Sequence, residues 1–156
     1  MVRVAHGVGR GDPAGARQAG LLGLAIGTGF LALLVVIPIS MAETITLIFI
    51  SADDPGYAGV YTLVSRIIMI AAVFQVFDGA QVVMARSLRG VKDAYYPLWL
   101  GAFGYWVMGI GGGVLLAFPM GWGGEGLWTG LALGLIVTAC LLTLRFISLT
   151  RRLIWD

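Results

Sequence analysis

The sequence predicts an all-α, polytopic membrane protein with four transmembrane helices and both termini in the cytoplasm. Composition is the first observation: hydrophobic residues make up 59% of the 156 and charged residues only 12%, with a mean hydropathy of +0.94. A soluble domain this small needs more polar surface than that supplies. Second, four stretches are apolar over the roughly 20 residues that a bilayer crossing takes. Third, the basic residues fall in alternate loops, as the positive-inside rule requires of cytoplasmic ones.

The elements follow in order. Residues 1–19 read as a cytoplasmic segment carrying Arg3, Arg10 and Arg17. They are not a signal peptide, because the apolar run behind them is longer than a signal core. Asp12-Pro13 supplies a carboxylate N-cap followed by a proline at the first helical position, where the missing N–H costs nothing. The first span covers about 20–42. After Glu43, ITLIFI (45–50) reads as a short interfacial turn of helix, and the loop SADDPG (51–56) has no Lys or Arg. Asp54-Pro55 repeats the cap signature before a second span at about 58–85.

Arg86, Arg89 and Lys92 follow that span. Asp93 can cap the third helix, with Pro97 in its opening turn and a span at about 98–118. The loop PMGWGGE (119–125) again lacks basic residues. A fourth span at about 126–145 leads through Arg145, Arg151 and Arg152 into a cytoplasmic tail, 147–156. The localisation expected is therefore a cell (inner or plasma) membrane, multi-pass.

Glycine accounts for 24 residues. Gly126, Gly130 and Gly134 form a small-xxx-small ridge, and Gly23/Gly27 and Gly109/Gly113 repeat the spacing, which lets helix backbones approach in lipid. Three consecutive glycines, 111–113, weaken the third helix and invite a bend.

The candidate site lies in FQVFDGAQ (74–81). On a helical wheel Gln75 and Gln81 lie about 60° to either side of Asp78, sharing a face with Ala71, Phe74, Val82 and Ala85. Met69, Val73, Val76, Ala80 and Val83 form an apolar face that can meet lipid. An intramembrane acid is costly and marks an ion pathway or lined cavity, or else a buried hydrogen bond that specifies helix pairing. An acid here suits proton loading and release; with amide oxygens beside it, it also suits a small hard cation such as sodium. Both stay open. Arg66, on another face of the same helix, is expected to snorkel to the outer interface. Trp99, Trp122, Trp128 and Trp155 suit an aromatic belt. Tyr105 and Trp106, nearer mid-span, serve packing or line a cavity for flat organic cations.

Other classes find little support. Cys140 and His6 are single, which excludes a disulfide within the chain and a Cys- or His-rich metal cluster. GVGRGD (7–12) lacks the full dinucleotide fingerprint and a preceding strand. No nucleophile–base constellation marks an enzyme, no cofactor beyond a coupling ion is called for, and no nucleic-acid partner is expected.

In order, RVAHGVGRGDPAGARQAG (3–20), FQVFDGAQVV (74–83), LRGVKDAYYP (88–97), GYWVMGIGGGVLLAF (104–118) and GEGLWTGLALGL (124–135) resemble the multidrug and toxic compound extrusion (MATE) transporters. The resemblance covers nearly the whole chain. It implies a twelve-helix, two-lobe fold that exchanges drugs for protons or sodium by alternating access, with this chain as the last four helices of the second lobe. Asp78 then falls on the family's tenth-helix acid, a cation-binding or protonation position. The partners implied are the lipid bilayer, the N-terminal lobe, the first helices of the C-terminal lobe, and small organic cations or drugs. Arg86 stands where the family has a small residue, and Gly111 where a proline is common. Without a cleft between lobes, the chain is not expected to transport alone. Two rival readings are a self-contained four-helix exporter acting as a dimer and a non-transporting scaffold. The first would need an acid within the first span, which has none before Glu43.

Overall fold

The computed structural model describes the backbone of residues 1–155 and the side chains of 1–153, so the Trp155 ring and Asp156 lie outside the described residues. The elements are α1 (Val2–Gly9), α2 (Pro13–Leu34), α3 (Val36–Ser40), α4 (Ala42–Phe49), α5 (Tyr57–Gly90), α6 (Tyr95–Ala102), a π-helical segment (Phe103–Gly111), α7 (Gly112–Ala117) and α8 (Gly123–Trp155). Four of the resulting rods, Pro13–Ser40, Tyr57–Gly90, Tyr95–Ala117 and Gly123–Leu153, are long and apolar enough to cross a membrane. They coincide with the four expected spans, and no strand occurs among the described residues.

Local chemistry explains most boundaries. Asp12 caps α2 as expected: its Oδ1 accepts the Gly15 N–H at 2.8 Å, and Pro13 opens the helix. The first span breaks between Leu34 and Val36, four residues before Pro38, whose ring excludes the carbonyl of the residue four back. ITLIFI lies in the short helix α4 and the residue that caps it, with Ala42 and Thr46 buried. Asp54 does not cap α5. Its Oδ1 takes the Gly56 N–H at 2.7 Å, closing a turn, and the helix starts at Tyr57 behind Gly56.

Two helices end alike. Gly11 N–H bonds to Val8 C=O and Asp12 N–H to Gly7 C=O; Lys92 N–H bonds to Arg89 C=O and Asp93 N–H to Leu88 C=O. Each is a Schellman termination, with Gly11 at φ 71° and Lys92 at φ 66°, and each delivers an aspartate to the next position. Asp93 is thereby drawn away from the capping role expected of it. Its bond to the Tyr96 N–H is long at 3.4 Å, while its other oxygen takes Arg145 at 2.9 Å.

Packing in the second half is governed by glycine. A Cβ on Gly126 would collide with the Leu116–Ala117 backbone, one on Gly130 with Gly113, and one on Gly134 with Gly104 and Gly109. The ridge on α8 thus mates with glycines of the third span. The π segment makes this possible. Gly104 and Gly109 are five residues apart, the hydrogen-bond step of a π-helix; both turn toward α8 and are buried. The departure from α geometry lies upstream of the Gly111–Gly113 run and ends at its first residue. The Gly23/Gly27 pair is looser and faces only Val83.

The main apolar cluster is Val4, Ala16, Met84, Leu88, Val91, Leu142 and Phe146, at the end of the bundle that holds α1. The expected segment 1–19 is therefore a docked helical hairpin: Gly7 abuts Ala16, Gly90 abuts Val4, and Gly20 makes room for the Phe146 ring.

Candidate functional site

Residues 74–81 lie inside α5, followed by about one turn of apolar helix, Val82 to Ala85, before Arg86, the first of the basic residues beyond them. Asp78 is half-buried. Among the described residues it has neither an ion pair nor a side-chain hydrogen bond, the carboxylates in pairs being Glu125 and Asp93. Gln81 is half-buried and its Oε1 is fully buried with no hydrogen-bond partner, while Gln75 is exposed.

Contacts of neighbouring residues orient this face. Phe74, one turn before Asp78, meets the Trp128 ring of α8 edge-on, centroids 5.9 Å apart and planes at 80°. Gln81 places its amide nitrogen beside Gly101 of α6. The polar face of α5 thus looks toward the crevice between the third and fourth spans. Trp128 is accordingly a packing partner of Phe74 as well as a member of any aromatic belt. Trp99 and Trp122 are exposed.

The opposite face departs from expectation. Met69 and Val73 are exposed, but Ala80 is only 8% exposed and Val83 sits over Gly23 and Gly27, with Leu31 packed into the gap at Gly79. The first span crosses α5 there, which a wheel drawn for one helix cannot show. Between α2, α5 and α8 lies an apolar cavity of about 530 Å³, walled in part by Thr28, Phe77, Ala80 and Cys140; Asp78 is not among its lining residues.

Tyr105 and Trp106 are exposed on the π segment, at 44% and 69%. Arg66 does not simply snorkel: its Nη1 lies 3.5 Å from Glu125 Oε1 in the first turn of α8, where a carboxylate also meets the positive end of the helix dipole. Sequence reading missed this pair and the one between Arg145 and Asp93. The only signal was the opposite signs of charges flanking or entering neighbouring spans. No three His, Cys, Asp or Glu side chains gather to hold a metal among the described residues.

The four long apolar helices define a polytopic helical membrane protein, whose second span carries an acid with no partner among the described residues. The MatE family model matches residues 1–115, and the chain belongs to that family. It is 43% identical over 145 residues to the probable multidrug resistance protein NorM of Brucella suis biovar 1 (strain 1330), covering 93% of this chain and 31% of that protein. To the multidrug resistance protein NorM of Burkholderia vietnamiensis it is 41% identical over 153 residues, 98% of this chain and 33% of that one. The crystal structure of the eukaryotic MATE transporter AtDTX14 superposes with a TM-score of 0.75 at 24% identity, over 97% of this chain and 34% of that chain, which establishes the shared fold. The chain spans about a third of the length of these relatives.

Proposed function

We propose that the chain is the C-terminal part of a cation-coupled multidrug efflux antiporter, in which Asp78 binds the coupling proton or sodium ion as drug leaves by alternating access. The observation that carries this is a half-buried carboxylate at mid-span with no partner among the described residues. A structural acid would be expected to find a hydrogen bond, since an unpaired one is costly at that depth. Gln75 and Gln81 lie on the same face and can supply amide oxygens, and the Gln81 Oε1 is buried and unpaired. Tyr105 and Trp106 present exposed rings that suit organic cations. The N-terminal lobe and two further helices complete the transporter in this reading, and no catalytic step is assigned to any residue. The protein resides in the cell membrane with both termini cytoplasmic.

The test is drug export from an efflux-deficient bacterial host carrying the complete gene, with and without Asp78→Asn. The variant is expected to reach wild-type abundance in the membrane and to lose ion-driven export by at least about tenfold, the scale of a lost intramembrane charge. Export at the wild-type rate would remove Asp78 from the coupling step. Loss of abundance together with export would favour the scaffold reading. Imposed pH and sodium gradients, applied separately to vesicles, distinguish the two ions.

A further inference from the structure

Two adjoining cavities open at the surface, one of about 480 Å³ between α1 and α2 and one of about 380 Å³ along α2 alone. Arg3, His6 and Arg10 of α1 wall the larger, with Asp12, Gln18 and Leu22 across from them. The smaller shares Gln18 and Leu22 and adds Arg17 and Leu21. Steps of three and four residues set Arg3, His6 and Arg10 on one face of α1, while Val4 is buried in the core on the other side. Arg3 and Arg10 thus share the larger cavity with one carboxylate, Asp12, and Arg17 stands in the smaller one that adjoins it. That carboxylate is already engaged, since Asp12 Oδ1 holds the Gly15 N–H. Among the described residues none of the three arginines has an ion-pair partner.

The depth of the crevice identifies its ligand. Leu21 lies one turn below Arg17 on α2, where the apolar run of the first span begins, and Leu22 is 52% exposed. Charge therefore stands at the polar interface, and bare leucine stands where hydrocarbon starts. A soluble anion would use only the upper half of such a site. A phospholipid uses both, and basic crevices between membrane helices favour anionic headgroups. We propose that this crevice binds an anionic phospholipid, its phosphate held among Arg3, Arg10 and Arg17 and an acyl chain lying along Leu21 and Leu22. The inference needs only the membrane placement of the four spans, and stands whether or not Asp78 couples transport.

Native mass spectrometry of the full chain, released from detergent containing equal amounts of phosphatidylglycerol and phosphatidylcholine, tests it. Phosphatidylglycerol adducts are expected to predominate about tenfold, in line with the attraction of several basic residues at a membrane surface. The triple variant Arg3→Gln, Arg10→Gln, Arg17→Gln should lose that preference, whereas the charge-matched triple Arg86→Gln, Arg89→Gln, Lys92→Gln should keep it. Leu22→Ser retains every arginine and should still weaken retention severalfold. Equal losses in the two triples would overturn the proposal in favour of a diffuse field. Unchanged retention by Leu22→Ser, or displacement by equimolar glycerol phosphate, would overturn it in favour of a free-anion site. Circular dichroism of each variant confirms that the helices persist.

Discussion

Arg145 Nε donates to Asp93 Oδ2 at 2.9 Å and its guanidinium lies 4.9 Å from the Tyr96 ring centroid, tying the fourth membrane helix to the turn that ends the second. The Asp93 side chain is only 14% exposed, so removing Arg145 leaves a largely desolvated carboxylate behind. At the other end of α8, Arg66 and Glu125 are 3.5 Å apart with side chains 64% and 28% exposed. From Glu125 to Arg145 the helix rises about 30 Å, the thickness of the hydrocarbon core, and no charged residue intervenes. The two pairs bracket an uncharged stretch of this helix as long as a hydrocarbon core is thick.

Their energies should differ. Arg145→Met is expected to destabilise the chain by roughly 1–3 kcal/mol, combining a lost charged hydrogen bond with an unpaired acid. Glu125→Gln should cost about 0.5 kcal/mol or less, as exposed pairs do. Unfolding in mixed detergent micelles measures both, and similar losses would show that burial at Asp93 has been overvalued.

The glycine seam makes a sharper contrast. Gly130→Ala places a methyl group against the Gly113 backbone, which neither helix can yield without separating. Overpacking of this kind costs about 1–3 kcal/mol, and the thermal midpoint should fall accordingly. Gly29→Ala on α2 meets nothing within 4 Å and should be neutral or stabilising, because alanine is the better helix former by about 1 kcal/mol. If both substitutions act alike, close backbone contact does not hold the third and fourth spans together.

Lys92 ends α5 in the left-handed region at φ 66°, where a side chain costs roughly 1–2 kcal/mol. Lys92→Gly keeps the termination and relieves that cost, so stability should rise by about 1 kcal/mol. A fall in the unfolding midpoint would mean that the lysine side chain makes a compensating contact.

What the sequence could disclose follows from where each signal resides. Spans, the Asp12 cap and the glycine ridge on α8 are written in local composition and spacing, and all appear in the structure. The π segment left one trace, the five-residue step from Gly104 to Gly109, which is invisible to anyone counting in threes and fours. Asp54 carried a cap signature identical to that of Asp12, yet Gly56 intercepted it with a tighter turn. The surroundings of Asp78 were less legible. Its polar face could be drawn on a wheel, but that Phe74 meets Trp128 and Gln81 meets Gly101 depends on how helices cross. The same holds for Val83, expected to face lipid and found over Gly23. Charge pairs between helices are tertiary facts, and neither was read.

Gln81 tests whether the site is held at the expense of stability. Its Oε1 is buried without a partner, a condition that costs about 1–3 kcal/mol. Gln81→Met preserves volume and removes the polar atom, so the unfolding midpoint should rise. If Gln81 lines the proposed cation site, the same variant in the proposed full-length transporter should lose export while gaining stability, because it would offer the coupling ion no amide oxygen. A variant less stable than wild type would show that the amide already has a partner in the membrane.

The orientation can be decided with one reactive thiol at a time, because Cys140 is the only cysteine. It lines the apolar cavity against α2 and α5, and Cys140→Ser should be nearly silent in stability. In that background Ser51→Cys and Trp122→Cys place thiols at exposed positions between the first and second and the third and fourth spans. Arg152→Cys places one at an exposed position near the end of α8. The loops at 51–56 and 119–125 carry no Lys or Arg, whereas the opposite end of the bundle carries Arg86, Arg89, Lys92, Arg151 and Arg152. By the positive-inside rule, a membrane-impermeant maleimide on intact cells should label positions 51 and 122, and reach position 152 only after permeabilisation. The reverse pattern would invert the orientation and leave the four spans standing. Labelling of 51 and 122 from opposite sides is the result that four spans cannot accommodate, since the second and third cross between them as a closed pair.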